Sequence, residues 1–233
     1  MSLWKIPCLL MVWASYMVVS TPPTKTARPE DQKSYRGLSW SATMLQKRDI
    51  GLIIVNCFVS CVMLAELAFA CGTMSYGIND KDSQSLHQSN AYAASPLFLV
   101  GVVCSVIGGT LRQWSYRAMG RHFTFQLAIL KDHQLVTDGP YAYVRHPGYT
   151  ALILTFVGMS ACQLSAGSWW IEARVFDSVF GKFIGLLGVC AALQLITVVS
   201  RAPAEDRMLH EQFGRQWEEW AISVPYKCFP GIW

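Results

Sequence analysis

Apolar residues along this chain gather into five long runs, Leu3–Val19, Gly51–Gly72, Pro96–Leu111, Tyr149–Ala166 and Val179–Val199. A bilayer hydrocarbon core of roughly 30 Å takes about 20 helical residues, so each run is a candidate span. The third is short as bounded and has room to extend back toward Ala91. In lipid such runs must be helical, because each backbone polar group needs a partner within its own segment. Between them lie the polar, proline-rich linker 21–32 ("TPPTKTARPEDQ"), the polar loop Gly77–Asn90, the longer polar segment Arg112–Gly148 and a tail from Ser200. The stretch "GVVCSVIGG", Gly101–Gly109, is rich in small residues, which lets helices approach closely in lipid. The pattern predicts an all-α integral membrane protein of about five transmembrane helices. No internal repeat is visible. Two regions are expected: 1–111 with three spans, and 112–233 with the polar loop, two spans and an amphipathic tail.

Composition agrees with a polytopic membrane protein, at 52% hydrophobic and 15% charged residues. Charge then orients it. The 21–50 loop carries six Lys/Arg, the 112–148 loop five and the tail four, whereas the two remaining loops carry one each, Lys81 and Arg174. Five spans put all three basic segments on one side, the cytosolic one, with the N-terminus opposite. Lys5, an apolar stretch and Ser20 also describe a cleavable signal peptide. Cleavage would break the charge asymmetry, so the first run is read as a retained span. The two segments with enough polar material for chemistry, Arg112–Gly148 and the tail, thus share a side and flank one helical hairpin.

Most cysteines lie within apolar runs, where they behave as small hydrophobes, and no CxxC or Cys/His spacing suits a metal. No glycine-rich dinucleotide or phosphate loop, G-x-S-x-G elbow or H-E-x-x-H zinc motif occurs. A nucleotide-like cofactor would need some other holder, and nothing indicates a nucleic-acid partner.

The candidate chemistry centres on "QLAILKDHQLVTDGPYAYVRHPGY", Gln126–Tyr149. "TDGP" is a turn signal, with Gly139 suited to positive φ and Pro140 fixing the next residue. Pro147 presets the first turn of the next span and holds His146 at its mouth, where free N–H groups and the helix dipole favour an anion. Tyr141, Tyr143 and Tyr149 add aromatic faces with hydroxyl ends. These residues suit either a rigid ligand pocket at the membrane surface or an interfacial anchor of arginine and tyrosine. In the tail, "SRAPAEDRMLHEQFGRQWEEW", Pro203, Glu205 and Asp206 suit a helix start. Leu209, Phe213, Trp217 and Trp220 recur at helical spacing, predicting one amphipathic helix lying in the headgroup layer. Arg201 and Glu205 stand where the last span leaves the lipid.

The run H-x-L-V-T-x-G-P-Y-x-x-x-R-H-P-x-Y, a span pair, and then R-x-x-x-E-[DE]-x-x-L-x-x-x-F-G-x-x-[YW]-x-x-[YW] together resemble the isoprenylcysteine carboxyl methyltransferase family, from near Gln126 to Pro230. The resemblance implies methyl transfer from S-adenosylmethionine to the α-carboxylate of a C-terminal prenylated cysteine, farnesyl or geranylgeranyl. It implies an endoplasmic reticulum membrane protein with a cytosol-facing cofactor pocket between the polar loop and the tail. Carried over by position, Gln126, His133, Gln134, Leu135, Val136, Tyr141, His146, Pro147, Gly148, Tyr149 and Glu205 bind the cofactor. Arg201 binds the substrate and acts in catalysis. Ala151 stands where the family usually has Gly, Asp206 where a second Glu is common, and Trp217 and Trp220 where tyrosines are usual.

A carboxylate is ionised at neutral pH, so such a reaction needs no general base; it needs alignment and exclusion of water. Arg201 suits the first task through its fork of donors, and Glu205 suits a cofactor anchor. The prenyl chain would enter from lipid between helices. Alternatives are a phospholipid amine methyltransferase of the same superfamily, for which Arg201 has less use, a non-catalytic membrane scaffold, and a sterol-type reductase, which would need a nicotinamide site. Glu66, inside the second run, is a functional candidate as an intramembrane acid, or a group reaching interfacial water near the span's end. His87 and His210 read as surface residues, and His122, beside Arg117 and Arg121, as a headgroup contact.

Overall fold

The computed structural model describes residues 4–21, 33–34, 48–79, 95–120, 128–129 and 134–232. The chain is all-helical there apart from a two-residue antiparallel pairing of Lys33–Ser34 with Ala128–Ile129. The helices are α1 (Lys5–Ser20), α2 (Arg48–Asn79), α3 (Pro96–Met119), α4 (Pro147–Gln163), α5 (Val179–Val199), α6 (Ala202–Phe213) and α7 (Arg215–Ser223), with a short helical turn at Trp169–Glu172. A helix stands at each of the five expected runs. Three are long and apolar enough to cross a membrane: α2, α3 and α5, the last continuing past a turn at Ser200–Arg201 into α6. The other two, α1 and α4, have 16 and 17 residues. The linker 22–32, the loop 80–90, His87, His122, Gln126 and His133 lie outside the described residues.

Two boundaries differ from the sequence pattern. Helix α2 runs on to Asn79, and α3 continues eight residues past Leu111 to Met119. The second extension carries Arg112 and Tyr116 one turn apart, and the Arg112 Nε donates to the Tyr116 hydroxyl at 2.9 Å. That pairing lets charged and hydroxyl groups continue a helix where hydropathy alone marks an end. Gly120, at φ +51°, then follows the helix.

Helix α3 packs along α4 most extensively, and α1 lies against α3. Small residues make this possible. A Cβ on Gly101 would sit 2.6 Å from the Gly158 carbonyl oxygen, and one on Gly108 would sit 2.8 Å from that of Ala151. The backbones thus meet as the small-residue stretch predicts, by van der Waals contact rather than by any hydrophobic drive, which lipid does not supply. The far sides of α2, α3 and α5 show Ile53, Ile54, Val100, Phe183, Leu186 and Leu193 to the outside.

The contacts sort the helix ends into two sets. Tyr16 late in α1 donates to Asn56 early in α2 at 2.9 Å, and Tyr116 late in α3 reaches the Val19 and Thr21 carbonyls. At the other end Lys5 meets Glu66 at 3.3 Å and the Gly167 carbonyl, and Glu66 accepts from the Trp169 N–H at 2.8 Å. Glu66 is 1% exposed. It does not reach interfacial water; it is a buried staple joining α1, α2 and the connection after α4. Removing one partner of a buried pair typically costs about 3–5 kcal/mol, whereas replacing both by apolar groups is often neutral. Glu66→Ala should therefore lower the thermal unfolding midpoint in detergent sharply. Lys5→Met combined with Glu66→Leu should recover most of the loss.

Candidate functional site

The mouth of α4 is built as the turn residues dictate. Gly139 takes φ +63°, Gly139–Ala142 form a 3-10 turn, and Pro147 starts α4 with His146 as its N-cap. Trp114 of α3 explains the bare Cα: its Nε1 lies 3.1 Å from where a Gly139 Cβ would be. The tail then closes over this mouth. The Arg145 and His146 N–H groups donate to the Tyr226 and Lys227 carbonyls at 3.0 and 2.7 Å, and the Thr150 hydroxyl donates to the Cys228 carbonyl at 2.6 Å. Loop and tail, about 80 residues apart in sequence, form one unit across the α4–α5 hairpin.

His146 is the centre of that unit. Its Nε2 lies 2.9 Å from Asp206 Oδ1 and its Nδ1 lies 3.5 Å from Glu205 Oε2. Only the doubly protonated ring donates to both carboxylates. Burial by itself would lower the imidazole's pKa, but the hydrogen bonds to Asp206 and Glu205 and their charges raise it from 6.5 to about 9. The two carboxyls respond in kind. Burial would raise each, and the hydrogen bond and charge of His146 instead bring both below their ordinary values. Arg145 adds a second cation, with Nη2 3.3 Å from Asp206 Oδ2 and Nη1 3.4 Å from the Val224 carbonyl.

The tail is not one helix. Gly214, at φ +51°, separates α6 from α7. The break turns Trp220 inward rather than into a headgroup layer: it is 7% exposed and its Nε1 donates to the Tyr141 carbonyl at 3.1 Å. Trp217 packs on the same cluster and lies 5.7 Å from the Arg145 guanidinium. His210 stays exposed, as its surface reading expects, with its Nε2 2.8 Å from Glu218 Oε1 across the break.

The expected site residues distribute as follows. Tyr141, His146 and Pro147 are buried at the mouth. The Tyr149 ring lies 5.6 Å from that of His146. Leu135 and Val136 pack against Tyr141, Trp220 and Val224, while Gln134 is exposed. Gly148 lies against Arg112, whose Nη1 is 2.5 Å from where a Cβ at 148 would be. Arg201 caps α6, and its Nη2 is buried without a hydrogen-bond partner among the described residues. Burial pushes the Tyr141 hydroxyl well up, with the Glu205 charge adding to it, so it stays a neutral donor. Arg112, Arg145 and Asp206 were not singled out as site residues from the sequence. Arg145 and Asp206 flank His146 and Glu205 in the two motifs, which was the available signal. Arg112 carried none, because it falls in what reads as the start of a loop.

An all-helical chain with three membrane-capable helices, whose loop and tail meet over a charged, tyrosine-lined mouth, is the class defined so far. The model of the isoprenylcysteine carboxyl methyltransferase (ICMT) family matches residues 100–179, so that stretch is similar to the family. It is 30% identical over 127 residues to the "Protein-S-isoprenylcysteine O-methyltransferase B" of Arabidopsis thaliana, covering 54% of this chain and 55% of the relative. It is 30% identical over 142 residues to the Schizosaccharomyces pombe "Protein-S-isoprenylcysteine O-methyltransferase", covering 56% and 52%. To the Dictyostelium discoideum protein of that name it is 42% identical over 142 residues, covering 58% and 50%. The matches thus span about half the length of these curated relatives.

The His146 clasp sets a pH dependence. Its folded pKa is raised, so its contribution is full below about pH 6.5 and is lost as pH rises through about 9. The shift corresponds to about 3 kcal/mol. The carboxylates, being lowered, act oppositely and lose their contribution only in acid. Limited proteolysis should therefore release the tail progressively faster between neutral pH and pH 9, and His146→Gln should flatten that alkaline limb.

Proposed function

We propose that this protein transfers the methyl group of S-adenosylmethionine to the α-carboxylate of a C-terminal prenylated cysteine. One observation carries the reading. The Arg201 Nη2 is buried and, among the described residues, unpartnered where the apolar helix α5 gives way to the tail, one turn before Glu205. A buried donor of a charged group without an acceptor is costly, so an incoming anion suits that position.

The residues around it fit a zwitterionic cofactor with a flat base. Tyr141 and Tyr149 offer aromatic faces, and Glu205, partly exposed at 32% of its side chain, offers a carboxylate for the cofactor's amino or hydroxyl groups. Pro147, Gly148, Gln134, Leu135 and Val136, with Gln126 and His133, complete the proposed lining. When bound, S-adenosylmethionine supplies an electrophilic methyl on a sulfonium.

Arg201 holds the substrate carboxylate by paired N–H donors and turns one oxygen toward that methyl. The transfer would exchange a C–S bond for a C–O bond with the electron pair left on sulfur and no proton moved, so this chain need supply no general base. Tyr141, kept neutral by burial, and His146, kept charged by its carboxylates, hold the pocket's shape without taking protons. The prenyl chain reaches Arg201 along the lipid-facing sides of α4 and α5, whose outward residues include Val157, Leu186 and Leu193. On this reading α1 and α4 complete five spans and the site faces the cytosol of an endoplasmic reticulum membrane. Residues 112–233 supply the catalytic groups.

Membranes containing the protein, given radiolabelled S-adenosylmethionine and N-acetyl-S-farnesylcysteine, should form a base-labile methyl ester. Arg201→Ala should cut the rate about ten- to a hundredfold, the loss of one charged hydrogen-bonding group at about 1.5–3 kcal/mol. Label in phospholipid amine instead of ester would replace this reading with the lipid methyltransferase one.

A further inference from the structure

Six buried side-chain nitrogen or oxygen atoms lack a hydrogen-bond partner among the described residues, and three of them stand at the mouth: Arg145 Nε, Arg201 Nη2 and Trp217 Nε1. The other three belong to Trp13, Ser105 and Thr155, in α1, α3 and α4. The three at the mouth are N–H donors with no capacity to accept. A buried donor without an acceptor costs free energy, so each marks a place that an acceptor fills. Arg201 serves the substrate carboxylate in the reading above; Arg145 and Trp217 form a separate pair. The Arg145 side chain is 10% exposed and its terminal nitrogens are engaged. Nη2 lies 3.3 Å from Asp206 Oδ2, and Nη1 donates to the Val224 carbonyl at 3.4 Å. Asp206 thus fixes the guanidinium and leaves its Nε–H unused. The Arg145 Cζ lies 5.7 Å from the centroid of the Trp217 ring, so loop and tail each bring one idle donor to the same place.

We propose that Arg145 Nε and Trp217 Nε1 together bind the carboxylate of the cofactor's methionine moiety. The proposal rests on the functional reading above and deepens it. Position favours the cofactor over the prenylcysteine. Arg145 immediately precedes His146, and Trp217 packs on the cluster that holds Leu135, Val136 and Tyr141, all residues of the proposed cofactor lining. Arg201 stands instead where an apolar helix ends, the point at which a lipid-borne chain delivers its polar terminus. Donor chemistry favours the carboxylate over the rest of the cofactor. An ionised acceptor makes hydrogen bonds roughly twice as strong as a ribose hydroxyl or a ring nitrogen does. One guanidinium N–H and one indole N–H supply a bond for each of its oxygens. Trp217 adds a donor without adding charge, at a mouth where Arg145 and His146 are already matched by Asp206 and Glu205. The carboxylates of the two ligands are then held by separate donors rather than crowded onto one arginine.

The test is equilibrium binding to the full-length protein in lipid nanodiscs, comparing S-adenosylmethionine with its decarboxylated analogue. Wild type should hold the analogue about ten- to a hundredfold more weakly, the usual effect of losing charge-assisted bonds. Trp217→Phe keeps an aromatic ring beside Arg145 and deletes the N–H. It should weaken S-adenosylmethionine about tenfold and leave the analogue unchanged. Arg145→Lys keeps a cation for Asp206 while removing Nε–H, and should act in the same direction. At saturating cofactor both variants should keep the wild-type KM for N-acetyl-S-farnesylcysteine, which Arg201→Lys should raise. Equal affinity of wild type for the two cofactors would overturn the assignment. So would equal weakening of both by Trp217→Phe, which would put the donors on the adenosine part, or a raised prenylcysteine KM with cofactor affinity intact. Unchanged cofactor affinity in Trp217→Phe would overturn it as well, and less phospholipid phosphate retained per protein would then give the pair to a lipid headgroup. Wild type that binds neither cofactor would overturn the functional reading itself, a distinguishable failure.

Discussion

Everything on the polar side of this molecule depends on one clasp, a histidine ring held between two consecutive carboxylates. His146 sits at the start of α4, and Glu205 and Asp206 lie in the first turn of α6, across a helical hairpin. The pairing works because each partner meets the other's need. A buried imidazolium requires compensating negative charge, and two adjacent carboxylates repel unless a cation stands between them. The backbone bonds from Arg145 and His146 to Tyr226 and Lys227 hold the later tail in the same place. Without the clasp, Arg201 and Tyr149 would have no fixed relation to each other.

The membrane part supplies the rigidity this clasp needs. Helices α3 and α4 approach through glycine and alanine, which packs the two backbones directly against each other. At the opposite end, Lys5, Glu66 and the Trp169 N–H satisfy one another in a site closed to solvent. Helix α5 differs, for it shows apolar side chains outward along its length. A tight pair beside a loosely covered helix is a geometry in which a lipid chain reaches a polar pocket without crossing water.

Charge bookkeeping clarifies the pocket. Arg145 and His146 are matched by Asp206 and Glu205, two cations against two anions at one mouth.

Much of the fold was legible in sequence because lipid imposes a strict rule: an apolar run must be helical, and small residues mark where helices touch. The turn at Gly139, the start of α4 at Pro147 and the likeness to one family were readable for similar reasons, since each rests on local backbone constraint or on an ordered motif. Hydropathy could not see α3 run on to Met119, because the Arg112–Tyr116 pair that carries it is a side-chain interaction. The apolar spacing of Leu209 to Trp220 suggested one surface helix, but Gly214 breaks it and the Tyr141 carbonyl draws Trp220 inward. The sequence by itself determined the helices, the charged segments and the likeness of one stretch to a known family. Only the tertiary structure decided which charges meet: Glu66 with Lys5, His146 with two acids, and two arginines at one mouth. Pairings between residues roughly 60 positions apart depend on how helices pack, and spacing along the chain does not encode them.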